Sequence, residues 1–209
     1  MKTKRITSLI LALALALSLC LTGCGSQGGD TQEPAGDNNT AGDDAKYTVG
    51  ICQLVQHEAL DAATQGFIDA LNEALPGQVK IVEKNASGDS INCSTIVNGF
   101  VSDGVDLIMA NATPALTAAA SATSDIPILG TSITAYGVAL DMEDFDGTVG
   151  GNISGTSDLA DLEKQAAMIT EWFPEAKKVA LLFCSAEPNS RYQIEEVAKH
   201  LADAGIETE

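Results

Sequence analysis

Residues 47–75 read YTVGICQLVQHEALDAATQGFIDALNEAL, and this stretch decides the fold. Tyr47 to Leu54 is a short, almost wholly apolar run, the pattern of a strand covered on both faces. Leu60, Ala63, Phe67, Ile68, Leu71 and Leu75 then recur at helical spacing until Pro76-Gly77 stops the helix. A buried strand leading straight into a one-faced helix is the first half of a βαβ unit.

The unit repeats downstream. Val79 to Glu83 reads as a second strand, and Asp89 or Ser90 can cap a helix with the apolar face Cys93, Ile96, Val97 and Phe100 that ends at Asp103-Gly104. Val105 to Ala110 is a third strand. Thr113 can cap the next helix with Pro114 at its first position, that helix runs to Thr123, and Ile126 to Gly130 is a fourth strand. After Tyr136-Gly137 the period fades, and the acidic, Gly-rich stretch from Asp141 to Gly151 reads as a crossover. Leu159, Leu162, Ala166, Ile169 and Phe173 then mark a helix stopped by Pro174. Lys178 to Cys184 follows as a strand and Ile194, Val197, Ala198 and Leu201 as a further helix, after which Gly205 leads into a strand that has barely started. Alternation of this kind predicts an α/β protein with parallel sheets flanked by helices on both faces. The expected layout is an N-terminal lobe over residues 46–153 and a second lobe over 154–209. Two helices and little more than one strand do not bury a standard core, so the second lobe reads as incomplete and the chain as truncated at its C-terminus.

Upstream of Tyr47 the sequence changes character. Lys2, Lys4 and Arg5 precede a 16-residue uncharged run, Ile6 to Leu21, shorter than the roughly 20 residues a spanning helix needs, which is the form of a secretory signal. Leu21-Thr22-Gly23-Cys24 closes it and resembles the lipobox of bacterial lipoproteins, so residues 1–23 are expected to be removed and Cys24 to carry lipid. Gly25 to Ala45 has five Gly, five acids and no aliphatic side chain larger than Ala, the composition of a flexible tether. Its root-mean-square span is about 25 Å by the scaling of flexible linkers.

Charge and cysteine use narrow the function. With 11 Lys and Arg against 29 Asp and Glu the net charge is -18, and loss of three basic residues with the signal takes it to -21. Nucleic acid and anionic lipid surfaces are thereby poor partners. Once Cys20 leaves with the signal, Cys24, Cys52, Cys93 and Cys184 remain, of which the last three read as free thiols. His57 and His200 are the only histidines and neither has a metal-ligand spacing with cysteine, so no metal or cofactor is expected. The chain lacks G-x-S-x-G and the P-loop, so it does not read as an enzyme.

In open α/β sheets ligands sit outside the carboxyl ends of the strands. The polar loops fall there: Gln53 to His57, Asn85 to Asp89, Asn111 to Pro114, Thr131 to Thr134 and Ser185 to Ser190. Several open a helix, whose free N–H groups suit an anionic group such as a carboxylate. Gln53, His57, Asn111, Thr113, Thr131, Ser132, Glu187, Asn189 and Ser190 are the binding candidates these loops supply.

Further motifs carry a resemblance. Residues 49–57 (VGICQLVQH), 59–63 (ALDAA), Gly66-Phe67, Asn85-Ala86-Ser87-Gly88-Asp89, Asn111-Ala112-Thr113-Pro114, Gly155-Thr156-Ser157-Asp158, Glu163-Lys164-Gln165 and Glu187-Pro188-Asn189-Ser190 stand in one order. Together they resemble the ABC transporter substrate-binding lipoproteins of the tryptophan and tyrosine importer type. The resemblance implies a two-lobed type I periplasmic-binding-protein fold and a small ligand, an amino acid and an aromatic one, delivered to an ABC permease and its ATPase. It implies an extracytoplasmic protein held to a bacterial membrane through Cys24, and it adds Thr156, Ser157 and Asp158 to the candidates. Asp158 is the expected partner of a ligand ammonium, or the N-cap of a helix beginning at Leu159. A receptor feeding a signalling system shares this shape and stands as the alternative, with a secreted lipoprotein enzyme behind it.

Overall fold

A computed structural model describes residues 45–209. The expected signal peptide, the lipidated Cys24 and the tether up to residue 44 lie outside the described residues. Strands and helices alternate as β1 (Tyr47–Gln53), α1 (Glu58–Ala74), β2 (Val79–Asn85), α2 (Ser90–Asp103), β3 (Leu107–Asn111), α3 (Thr113–Ala122) and β4 (Ile128–Ile133). One helical turn, α4 (Tyr136–Ala139), precedes β5 (Ile153–Ser157), α5 (Leu162–Trp172), β6 (Lys178–Val179), α6 (Pro188–Asp203) and β7 (Glu207–Thr208). The first five strands form one parallel sheet in the order β2-β1-β3-β4-β5, and β6 pairs with β7, also parallel.

Helices cover both faces of the larger sheet, as near-continuous apolar strands require. Phe67, Ile68 and Leu71 of α1 pack on Val49, Ile51, Val79, Ile81 and Met109. On the opposite face Val97 and Phe100 of α2 and Ala115, Leu116 and Ala119 of α3 pack on Cys52, Ile108 and Ile128. Gly50 is required there because a Cβ on it would strike the Phe100 ring. Cys52 and Cys93 are both fully buried, with their thiols hydrogen-bonded to each other across the β1–α2 contact. That bond and burial push the Cys52 thiol far above its ordinary range. The smaller unit buries Ala166 of α5, Leu201 of α6 and Ile206, with Val179 and Val197 packed against them.

Several expected boundaries move. β2 runs two residues further, to Asn85, and β4 takes in Thr131, Ser132 and Ile133, where the sequence predicts a loop. β3 starts at Leu107 instead of Val105 and ends at Asn111, while the ladder of β6 covers only Lys178–Val179 of the expected 178–184. Thr113 does not cap α3: Ala112 occupies the cap position and makes no side-chain cap bond. Asp158 caps nothing, because α5 begins at Leu162 and its cap is Asp161, which accepts from Lys164 N at 3.0 Å. Ile153–Ser157 had no strand signal at all, yet it is the edge strand of the first sheet beside β4. The boundary drawn between residues 153 and 154 therefore falls inside β5, whose ladder keeps the strand through Ser157 on the larger sheet. Among the described residues no helix is long and apolar enough to cross a membrane.

Candidate functional site

Between β1 and β3 the order of the sheet reverses, and it is at such a switch point, beyond the strand ends, that open α/β sheets bind ligands. Gln53 and Asn111, the last residues of these strands, are paired in register at that point. Along the same edge three non-glycine residues take left-handed or otherwise positive φ: Ser87 (55°), Ala112 (88°) and Ser132 (55°). For Ser87 the turn is supported by its N–H donating to Asn85 Oδ1 at 2.8 Å. Ser132 sits where the β4–β5 register shifts between Gly130 and Ile133. Ala112 is the costly one, because φ 88° with ψ 157° is a region that glycine occupies and alanine avoids. Such a residue costs of order 1–3 kcal/mol and tends to mark ligand clamps.

Gln53 and Asn111 turn inward. Gln53 Nε2 donates to Val55 O (2.9 Å) and Asp61 Oδ1 (2.6 Å), and its Oε1 accepts from Thr64 Oγ1 (2.6 Å). Asn111 Nδ2 donates to Leu60 O (2.8 Å) and Thr64 Oγ1 (2.9 Å), while its Oδ1 is buried and without a partner among the described residues. His57 caps α1, its Nδ1 accepting from Ala59 N at 3.2 Å, and its ring is exposed. Thr113 is 2% exposed at the start of α3. Thr131 accepts the Ala112 N–H on its carbonyl at 3.0 Å. A clasp ties the ends of β4 and β5: Ser157 Oγ donates to Thr134 O (2.9 Å) and accepts from Leu159 N (3.2 Å), and Asp158 N donates to Ile133 O (3.0 Å). The Asp158 and Thr156 side chains are left exposed beside it.

The matching edge of the smaller unit is the loop into α6. Ser190 Oγ accepts from Cys184 N at 3.0 Å, Asn189 Oδ1 is buried without a partner among the described residues, and Glu187 occupies the cap position without a side-chain bond. Between this loop and α4 lies a cavity of about 300 Å³ lined by Val138, Ser185, Ala186, Pro188, Arg191, Tyr192 and Glu195. Arg191 is held there by donating from Nη2 to Ser185 O at 3.4 Å, with its guanidinium 6.0 Å from the Phe183 ring centre. A guanidinium, a carboxylate and a phenol ring around one small space suit a zwitterion carrying an aromatic group. None of the twelve residues singled out from the sequence lines this cavity, although Ser185 and Pro188 stand in a loop that was. Arg191, Tyr192 and Glu195 were missed because they form the polar face of an amphipathic helix, and such a face reads as solvated. A larger cavity, about 570 Å³, lies at the amino end of β6 among Ile169, Phe173, Pro174 and Val179, away from the strand ends that hold ligands. No group of His, Cys, Asp and Glu suited to a metal occurs among the described residues.

Comparison with known proteins bears on this arrangement. Residues 48–209 match the family model described as ABC transporter substrate binding protein. A tyrosine-binding protein of Clostridioides difficile (strain R20291) is 38% identical in an alignment 201 residues long that covers 93% of this chain and 56% of that protein. Among solved structures, an ABC domain in complex with L-Trp from Streptococcus pneumonia superposes with a TM-score of 0.72 at 34% identity, over 79% of this chain and 56% of that one. The ligand-free, open structure of a substrate binding protein with adhesive properties from Clostridium difficile gives 0.59 at 34% identity, over 78% and 56%. The chain thus spans about half the length of these relatives, and it shares with them the parallel α/β units of the type I periplasmic-binding architecture.

Proposed function

We propose, because the chain belongs to the ABC transporter substrate-binding protein family, that it captures an amino acid, an aromatic one, outside the cytoplasm and hands it to an ABC permease served by an ATPase. The observation that carries this reading is the cavity of about 300 Å³ at the strand ends, where Arg191, Glu195 and Tyr192 offer partners for a carboxylate, an ammonium and a ring. Relatives named for tyrosine and crystallised with L-Trp support the ligand class. Burying both charges of an amino acid costs several kcal/mol unless each is paired. Thr113 and the N–H groups after Asn111, with Asn189 or Ser190 opposite, are the other donors we assign to the carboxylate. Asp158, exposed and free of a capping role, is the other acceptor for the ammonium. The protein acts as a receptor and not as an enzyme. Residues 1–23 are its signal peptide, and Cys24 with the tether to residue 45 holds it to the membrane by lipid.

Calorimetric titration with each of the twenty amino acids tests the reading. L-Tyrosine or L-tryptophan should bind with a 1:1 stoichiometry and aliphatic amino acids far more weakly. Saturable binding of a non-amino-acid solute with none of the twenty bound would overturn it.

A further inference from the structure

The inner face of α1 packs on the sheet through Phe67, Ile68 and Leu71, yet its one fully buried position is Thr64, 3% exposed. A hydroxyl there gains nothing in packing over a methyl of equal size, and it costs free energy unless bonded. It is bonded twice, and the chemistry fixes the direction of every bond. The single Thr64 proton goes to Gln53 Oε1, so Thr64 Oγ1 meets Asn111 Nδ2 as an acceptor. Gln53 Nε2 spends both its protons on Val55 O and Asp61 Oδ1, and Asn111 Nδ2 gives its second to Leu60 O. Neither amide can be turned over without setting acceptor against acceptor or donor against donor. What is left over is Asn111 Oδ1, fully buried, followed at once by the strained Ala112 and the first turn of α3. On the backbone, Asn111 O accepts from Leu54 N (3.1 Å), Ala112 N donates to Thr131 O (3.0 Å) and Ala112 O accepts from Ala115 N and Leu116 N (3.1 Å each), and the side-chain relay adds a restraint from the α1 side of this turn.

We propose that Thr64 is a positioning residue for ligand capture: through Asn111 it holds the Asn111–Ala112–Thr113 turn in its strained form and so fixes the donors that turn presents at the strand ends. Thr64 itself touches no ligand. The inference rests on the reading of this edge as a small-molecule site, and its role in holding the turn is open to measurement without any ligand.

The variants are Thr64→Val, which keeps the volume and removes both bonds, and Thr64→Ser, which keeps both bonds, each made in the full chain. In T64V the Ala112 amide should exchange with solvent at least about tenfold faster, the scale of one lost hydrogen bond, while the Met109 amide in mid-strand keeps its protection. Affinity for L-tyrosine or L-tryptophan should fall by at least about tenfold in T64V and stay within about threefold of wild type in T64S. Unchanged Ala112 exchange in T64V, a T64S variant that behaves like T64V, or equal affinities in wild type and T64V each overturn the proposal. If the wild type binds neither amino acid, the ligand reading falls, while Ala112 exchange in T64V and T64S still decides whether Thr64 holds the turn.

Discussion

Tyr136 donates its hydroxyl to the carbonyl of Gly130 at 3.1 Å, and the oxygen lies in a slot that exists only because Gly130 and Gly155 carry no side chain. A Cβ on Gly155 would run into the Gly130 backbone as well as the hydroxyl, and φ 152° is itself glycine territory. Burial pushes the phenol up to about 12. Tyr136→Phe should therefore cost about 1 kcal/mol, one net hydrogen bond. Gly155→Ala should cost more, about 2 kcal/mol or above, because backbone and strain both object. Chemical denaturation measures both; a neutral Gly155→Ala would show that β5 shifts freely along β4.

Asp158 and Asp161 separate a binding role from a capping role. Asp161→Ala removes the acceptor of the Lys164 N–H and should lower stability by about 1 kcal/mol. Asp158→Asn should leave the melting temperature within a degree or so and weaken amino-acid binding by about 2 kcal/mol, the scale for one partner of a buried charge-assisted pair. Calorimetry on both variants decides; equal affinity in wild type and D158N assigns the ammonium to Glu195.

Ala112→Gly offers a test of sign. Relief of φ 88° is worth about 1–3 kcal/mol, against about 0.4–1 kcal/mol of added unfolded-state freedom, so the variant should be more stable by roughly 1 kcal/mol. A loss of stability on urea titration would mean that the alanine methyl contributes packing that outweighs the strain.

Glu83 carries a carboxyl raised above its ordinary value, first by burial and then by the charge of Asp61. A group raised in the folded state contributes stability that is fully present below its unfolded pKa, near 4.3, and lost as pH rises through the folded value. Glu83→Gln should accordingly raise the melting temperature at pH 7 and lose that advantage as the pH approaches 4. A gain that persists unchanged at pH 4 would point to hydrogen bonding instead of charge.

Thiol reactivity gives a fourth kind of readout. With Cys20 and Cys24 replaced by serine, a thiol reagent should modify one residue rapidly, the exposed Cys184, and reach Cys52 and Cys93 only on unfolding. Three equally fast thiols would show that the β1–α2 contact opens on the reaction timescale.

The alternation of strands and helices was legible because glycine, proline and capping residues punctuate it, as at Pro76-Gly77, Asp89 and Gly104. Ile153–Ser157 was not, since an edge strand with one apolar residue has no period to read, and only its ladder to β4 makes it a strand. Ala112 escaped for a different reason: a positive φ at alanine has no compositional mark. The cap of α5 was misplaced by three residues because Asp158 and Asp161 both precede apolar positions, and only the Lys164 N–H distinguishes them. Arg191, Tyr192 and Glu195 became visible as a group once α4 was seen opposite α6.

In the relay that runs from Asn111 to Asp61, the bonds made by Asn111 reach back 47 to 58 positions in the chain. Contacts of that separation repay their loop-closure entropy late. During synthesis, β1 and α1 emerge first and can pack on β2, but Gln53 and Thr64 stay without their third member until β3 has left the ribosome. The turn at Ala112 has no reason to take its strained form before then. The strand-end edge to which we assign the ligand is therefore finished only when β4, which supplies the Thr131 carbonyl, arrives.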